Sequence, residues 1–142
     1  TELHHSPSDV IIHEIWNKFR LNIANNQIQA IIGCGVGGYR DSEHLGFLRR
    51  KVREELEEIA KAKGIDFSLC KSTPAGSKVA DRARYSTLQD IDAGRHTEID
   101  MFAGTVVRMG KELNIPTPYN EFIFHVIKAL EEKNDGKFDY DS

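Results

Sequence analysis

One stretch narrows what this chain can become. Over residues 10–32, apolar side chains recur at helical spacing for roughly six turns. Ile12, Ile15, Trp16, Phe19, Ile23 and Ala30 form one apolar stripe, and Val10, Leu21, Ile28 and Ile32 form a second opposite it. Lys18, Asn22 and Asn26 stand at steps of four and make a polar file that drifts only about 80° along the helix. A solvated face usually carries Glu, Lys and Arg, and asparagine in mid-helix costs helix propensity. The file therefore has two readings, the wet edge of a core helix or one wall of a polar cleft.

A chain of 142 residues is long enough to bury a real core in one domain. Its net charge of −3, with Lys and Arg scattered among Asp and Glu, argues against nucleic acid or an anionic membrane as the main partner. No apolar run reaches membrane-spanning length, and no signal-peptide pattern opens the chain. Cys34 and Cys70 lack CxxC or metal spacing, so they read as reduced thiols in a cytoplasmic protein. The opening Thr1-Glu-Leu-His-His-Ser-Pro-Ser8 is polar and irregular. It reads as a linker, which predicts a fragment of a longer protein.

Ser6, Ser8 or Asp9 can cap the first helix, with Pro7 at its first position if Ser6 does so. Gly33, Gly35, Gly37 and Gly38 end it near Ile32. Asp41 or Ser42 caps a second helix carrying Leu45, Leu48, Val52, Leu56 and Ile59, and Gly64 closes it. Its outer face (Arg49, Arg50, Lys51, Arg53, Glu54, Glu55) reads as solvated. Residues 65–70 fit a short strand or an extended connection. A weakly patterned helical segment is expected from Thr73-Pro74 through Val79, Ala80 and Ala83. A helical turn or two should follow over 86–93, closed by Gly94. Thr97 is expected to cap a further helix, with Asp100 in the capping-box position and Ile99, Phe102, Val106, Met109 and Leu113 buried. Gly104 inside that helix predicts close approach by another. Thr117 and Pro118 start the last helix, with Ile123, Ile127 and Leu130 on its core face beside Phe122 and Val126. Residues 133–142 should fray. The sum is an all-α domain of five or six helices.

Gly33-Cys34-Gly35-Val36-Gly37-Gly38 matches the dinucleotide fingerprint G-x-G-x-x-G in letters. That fingerprint needs its glycines at a strand-to-helix turn, so that the helix N-terminus faces the pyrophosphate. Here Tyr39 and Arg40 intervene before the cap, and the residues before Gly33 repeat at helical spacing. The match reads as a decoy. Glu98 follows Thr97, where the helix dipole keeps a carboxylate ionised; taken alone it is a helix-start residue. His13, His44, His96 and His125 lack ligand spacing, and Cys34 lacks a partnered His or acid. Neither a metal site nor a cysteine nucleophile is expected.

Two segments nevertheless resemble one family. Ile15-Trp16 with Lys18-x-x-x-Asn22-x-x-x-Asn26 resembles the W-x-K-x-x-x-N helix of ketopantoate reductase (2-dehydropantoate 2-reductase). Ser86-Thr-Leu-Gln-Asp90-Ile-x-Ala-Gly94-Arg95-x-Thr97-Glu98-Ile99-Asp100 resembles its second signature, S-M-L-Q-D-I-x-x-G-R-x-T-E-I-D. Gly104-x-Val-Val-Arg-x-Gly110 and Ile115-Pro-x-Pro-x-Asn120 extend the match. The similarity runs from about Asp9 to Leu130 and corresponds to the family's C-terminal, substrate-binding helical domain, of the 6-phosphogluconate-dehydrogenase C-terminal-like type. It implies that residues 1–8 are a linker remnant from an N-terminal Rossmann domain, 9–132 the helical domain and 133–142 a polar tail.

The resemblance also implies roles. Lys18 matches the general acid that protonates the substrate's keto oxygen while NADPH delivers hydride to the same carbon. Asn22 and Asn26 match asparagines lining the substrate site, Ser86 a serine that hydrogen-bonds the substrate, and Glu98 a glutamate that supports substrate and lysine. The chemistry is coherent: a positioned ammonium stabilises charge developing on oxygen and supplies the proton, and a nearby carboxylate favours its charged form. The implied reaction reduces a 2-keto acid, ketopantoate to pantoate on the way to pantothenate and coenzyme A. NADPH would be held mainly by the Rossmann domain, and a homodimer is open to it. The alternatives are a reductase of another 2-keto acid, or a helical dimerisation module with vestigial site residues. The chain departs from the family at Asn26-Gln27-Ile28-Gln29, where Asn-Pro or Asn-Ala-Leu-Thr is common. It departs again at Arg84-Tyr85, where small or polar residues are usual, and in its glycine-rich loop.

Overall fold

The structure is a computed structural model that describes residues 7–70 and 79–140. The helical repeat of the opening stretch produces α1 (Pro7–Asn25), but the helix does not run unbroken to Ile32. It breaks at Asn26 and resumes as α2 (Gln27–Ile32). A side chain inserted in the backbone ladder accounts for the break. The Tyr39 hydroxyl donates to the Asn25 carbonyl at 2.9 Å and accepts from the Gln29 N–H at 3.0 Å. An uninterrupted helix would join those two groups directly. The Gln27 side-chain amide also donates to the Ile23 carbonyl at 3.3 Å, the acceptor its own N–H would otherwise use.

A loop and the single turn α3 (Gly38–Asp41) lead to α4 (Glu43–Ala62). Ser42 caps α4, its side chain accepting from the Leu45 N–H at 3.2 Å. Gly64, with φ of 79°, closes it as the sequence predicts. Residues 65–70 form no strand, and the extended backbone expected there is confined to the flanks of a turn, at Asp66 and Cys70. Phe67–Leu69 is one 3-10 turn, started by the Asp66 carboxylate, which accepts from the Ser68 N–H at 2.9 Å and hydroxyl at 2.6 Å.

The helical segment expected after Thr73 lies partly on residues 71–78, outside the described ones; over 79–85 the chain is not helical. Its backbone is satisfied from elsewhere instead. Gln29 Nε2 donates to the Ala83 carbonyl at 2.8 Å and Gln29 Oε1 accepts from the Tyr85 N–H at 2.7 Å. The N–H groups of Val36 and Gly37 donate to the Ala83 and Asp81 carbonyls at 3.1 and 2.8 Å. Partnered in this way, the segment gains nothing by coiling.

α5 (Ser86–Asp92) ends at Gly94, φ 74°, as predicted. Thr97 does not cap a regular helix. A separate turn over 98–102 precedes α6 (Ala103–Leu113), whose first N–H donates to Gln27 Oε1 at 2.9 Å. Asp100 pairs with Lys128 at 2.7 Å rather than completing a capping box. The last helix is α7 (Pro118–Asn134), and a Cβ at Gly104 would sit 3.2 Å from its Phe124 ring, the close approach the glycine foretold. Glu55 of α4 caps α7 by accepting from the Tyr119 and Asn120 N–H groups, each at 2.9 Å. It therefore does not belong to a merely solvated face. Phe122, expected on the core side, is 69% exposed, and Asn120 and Glu131 take buried places instead. α7 continues to Asn134 and turns persist through Phe138, so order extends past residue 133.

Ile23, Val52, Leu56, Ile59, Val106 and Ile127 are fully buried in one core shared by α1, α4, α6 and α7. Each contributes about 1.5–3 kcal/mol by leaving water. Among the described residues there is no strand, and the domain is all-α. No described helix is long and apolar enough to cross a membrane.

Candidate active site

The break at Asn26 turns the end of α1 and the start of α2 against the segment leading into α5. A cleft of about 540 Å³ opens at this junction. Asn22, Asn25, Asn26 and Ser86 give it a polar wall, and Leu21, Val79 and Tyr85 an apolar one. Three of the five expected site residues thus meet, although Ser86 is remote from the others in sequence. Of the polar file, Asn22 and Asn26 line the cleft, Asn26 being only 7% exposed, whereas Lys18 lies outside it on the exposed side of α1. Asn25 was not expected. Strict steps of four pass over it, yet it stands three residues beyond Asn22 and so neighbours it on the helix.

Lys18 lies one turn before Asn22, exposed and without an ion pair among the described residues. Glu98 is likewise exposed, in the turn before α6, and has no ion pair among the described residues. The two do not pair with each other, but their segments are neighbours. The ring of Phe19, next to Lys18, lies 6.5 Å from that of Phe102. The Phe102 N–H in turn donates to the Glu98 carbonyl at 3.2 Å.

Glu98 is exceptional within its own segment. Arg95 pairs with Asp90 at 3.0 Å, His96 with Asp135 at 2.6 Å and Asp100 with Lys128 at 2.7 Å. The Thr97 hydroxyl donates to Glu131 at 2.6 Å. The hydrogen bond that His96 gives to Asp135, then the charges of Asp135 and Glu131, hold the imidazole above its ordinary pKa. The Asp100 hydrogen bond raises Lys128 in the same way. In the run 95–100, Glu98 alone presents a polar side chain that has no partner among the described residues.

The glycine-rich loop serves packing. A Cβ at Gly35 would overlap the Asp81 carbonyl, and one at Gly37 would lie 2.8 Å from the Asp81 Cβ. The Val36 and Gly37 N–H groups already donate to residues 83 and 81, so these two amides are not offered to a pyrophosphate. Burial pushes the Tyr39 phenol well above its usual pKa, which keeps it a neutral donor at the helix break. A larger hollow of about 580 Å³ lies elsewhere, walled by Glu54, Glu57 and Glu58 of α4. Those carboxylates would repel an acid substrate, so the smaller cleft is the better candidate. The described residues contain no group of three or more His, Cys, Asp or Glu that could hold a metal ion.

Comparison with known proteins accords with this geometry. The model of the ketopantoate reductase PanE/ApbA C-terminal family matches residues 10–131. The 2-dehydropantoate 2-reductase of Pyrococcus horikoshii is 32% identical over 123 residues, spanning 85% of this chain and 41% of that protein. A crystal structure of a PanE/ApbA family ketopantoate reductase from Ralstonia eutropha superposes with a TM-score of 0.73 at 29% identity, over 84% of this chain and 41% of that one. A D-mandelate dehydrogenase solved with NADH and anilino(oxo)acetate shares the fold, with a TM-score of 0.77 at 23% identity over 93% of this chain and 56% of that one. The chain spans about two fifths of the length of the curated relatives it matches.

Proposed function

The chain belongs to the ketopantoate reductase family, as its C-terminal helical domain, and from that premise we propose that it is the substrate-binding, proton-donating part of an NADPH-dependent 2-keto acid reductase acting on ketopantoate to give pantoate. The observation that carries this reading is the cleft uniting Asn22, Asn26 and Ser86, with an unpaired ammonium one turn away. Amides and a hydroxyl offer neutral hydrogen bonds that orient a keto acid without excess charge. Lys18 supplies the positive charge beside the developing alkoxide and then the proton. Glu98, left without a partner in its own segment, is available to orient that ammonium once substrate draws the two together.

A bound nicotinamide supplies the hydride. The Gly33–Gly38 loop does not suit its pyrophosphate, so NADPH falls to the Rossmann domain that the family resemblance implies for the rest of the protein. Ile11 and Ile15 support a covering surface, since they are 57% and 62% exposed on the same side of α1 as Lys18 and Asn22. The same exposed isoleucines favour a second reading, a helical dimerisation module.

The test is ketopantoate-dependent NADPH oxidation by the full-length protein that carries this chain. Lys18→Ala is expected to cost about 10²–10⁴-fold in kcat, as for loss of a general acid, with the helical signal unchanged. No turnover on any 2-keto acid, with a stable self-associating helical domain, would instead support the module. The chain by itself is expected to be inactive and to bind NADPH poorly.

A further inference from the structure

We propose that Glu131 is a positioning residue for Glu98: from α7 its buried carboxylate locks the backbone on both sides of Glu98 and so fixes where that side chain can meet substrate and Lys18. The proposal rests on the role for Glu98 given above. Glu131 is 3% exposed, and a carboxylate out of water is costly unless its oxygens are hydrogen-bonded or paired. It also lies in the later turns of α7, where the helix dipole disfavours negative charge. An apolar side chain would fill that place at lower cost.

Its oxygens are both used. Glu131 Oε2 accepts from the Thr97 N–H at 2.8 Å and from the Thr97 hydroxyl at 2.6 Å. Oε1 lies 3.8 Å from His96 Nδ1 and 3.8 Å from Lys128 Nζ. An ionised carboxylate only accepts, so the hydroxyl must give Glu131 its single proton. That leaves Thr97 Oγ1 an acceptor, and it takes the Ile99 N–H at 3.1 Å. The amides on either side of Glu98 are thereby tied to one carboxylate, directly at 97 and through one hydroxyl at 99. The Glu98 side chain itself is exposed and has no partner among the described residues. A functional carboxylate held this way is oriented before substrate arrives.

The test uses the full-length protein and a 2-keto acid that it reduces. Glu131→Ala and Thr97→Val are expected to lower kcat about tenfold or more while the KM for NADPH holds, as for loss of preorganisation rather than of cofactor binding. Glu131→Gln and Thr97→Ser should restore most turnover, because an amide oxygen can still accept from Thr97 and a serine can still bridge to Ile99. If Glu131→Ala does not fold, the Thr97 pair carries the same comparison. The decisive readout is a double-mutant cycle: with Glu98→Gln already in place, Thr97→Val should cost little further turnover. Full additivity, or a lowered melting temperature with unchanged kcat, would overturn the positioning role while leaving Glu98 in place. Unchanged turnover in Glu98→Gln alone would overturn the reading of Glu98 and this proposal with it.

Discussion

The residues that shape the cleft are ones a periodicity argument weights least. Asn22 and Asn26 were legible because polar side chains at helical steps are conspicuous between apolar stripes. Gln27, Gln29 and Tyr39 were not, since each acts through a backbone group remote in sequence. Gln27 stands where the family resemblance leads one to expect Asn-Pro or Asn-Ala-Leu-Thr, and it marks the place. A proline there would lack the N–H that a continued ladder needs, and here the Gln27 amide occupies the Ile23 carbonyl instead. Tyr39 offers the cleanest test. Tyr39→Phe keeps the ring and deletes the hydroxyl between Asn25 and Gln29, leaving a buried N–H without its acceptor. Stability should fall by about 1–3 kcal/mol, read from the urea midpoint at constant m-value. Unchanged stability would mean that Asn25 and Gln29 rejoin directly and that the hydroxyl does not maintain the break.

Helix ends divide into those fixed locally and those fixed by another element. Ser42, Gly64 and Gly94 are local signals and stand where the sequence puts them. The starts of α6 and α7 depend on Gln27 and Glu55, reaching from α2 and α4. No window along α6 or α7 contains that information, and α6 therefore starts one turn after Thr97, the residue whose type suits a cap. The two glycines inside α6 separate the same two causes. At Gly104 an added Cβ meets the edge of the Phe124 ring at 3.2 Å, which can tilt away, and the Ile99 carbonyl at 3.4 Å, an ordinary contact. At Gly110 it would meet the Ile115 carbonyl at 2.6 Å and Thr117 Cγ2 at 2.8 Å, where the turn into α7 passes over the helix. Alanine gains about 1 kcal/mol of helix propensity at either site. Gly104→Ala should therefore be close to neutral, whereas Gly110→Ala should cost a net amount of about 1–3 kcal/mol through backbone overlap. Equal melting temperatures for the two variants would contradict this account.

At the level of the whole molecule, what was legible came mostly from the second signature, 86–100, because it compresses a helix, a turn and several paired side chains into one short run. Its three-dimensional sense was hidden, since the partners of 96, 97 and 100 all lie on α7 or just beyond it. That arrangement makes the attachment of the Glu98 turn sensitive to pH. The imidazole of His96 is bonded to Asp135 at 2.6 Å and also faces Glu131 and Lys128. The carboxylates outweigh the lysine and hold its pKa above the ordinary 6.5. A group whose pKa is raised on folding stabilises the folded state fully below its unfolded value and loses that contribution as pH climbs through the folded one. The attachment should therefore be complete below the ordinary value of 6.5 and weaken as pH rises through the raised folded-state value. Because the imidazole is largely exposed, the change in stability is modest, and a titration measures it better than a melt. The His96 ring proton followed by NMR should titrate with a midpoint above 6.5 in the parent chain. In Asp135→Asn the midpoint should fall toward the ordinary value, and the pH dependence of amide exchange around Ile99 should shrink with it. A His96 midpoint unmoved by Asp135→Asn would show that the contact does not persist in solution, leaving Glu131 and Lys128 alone to hold the turn on α7.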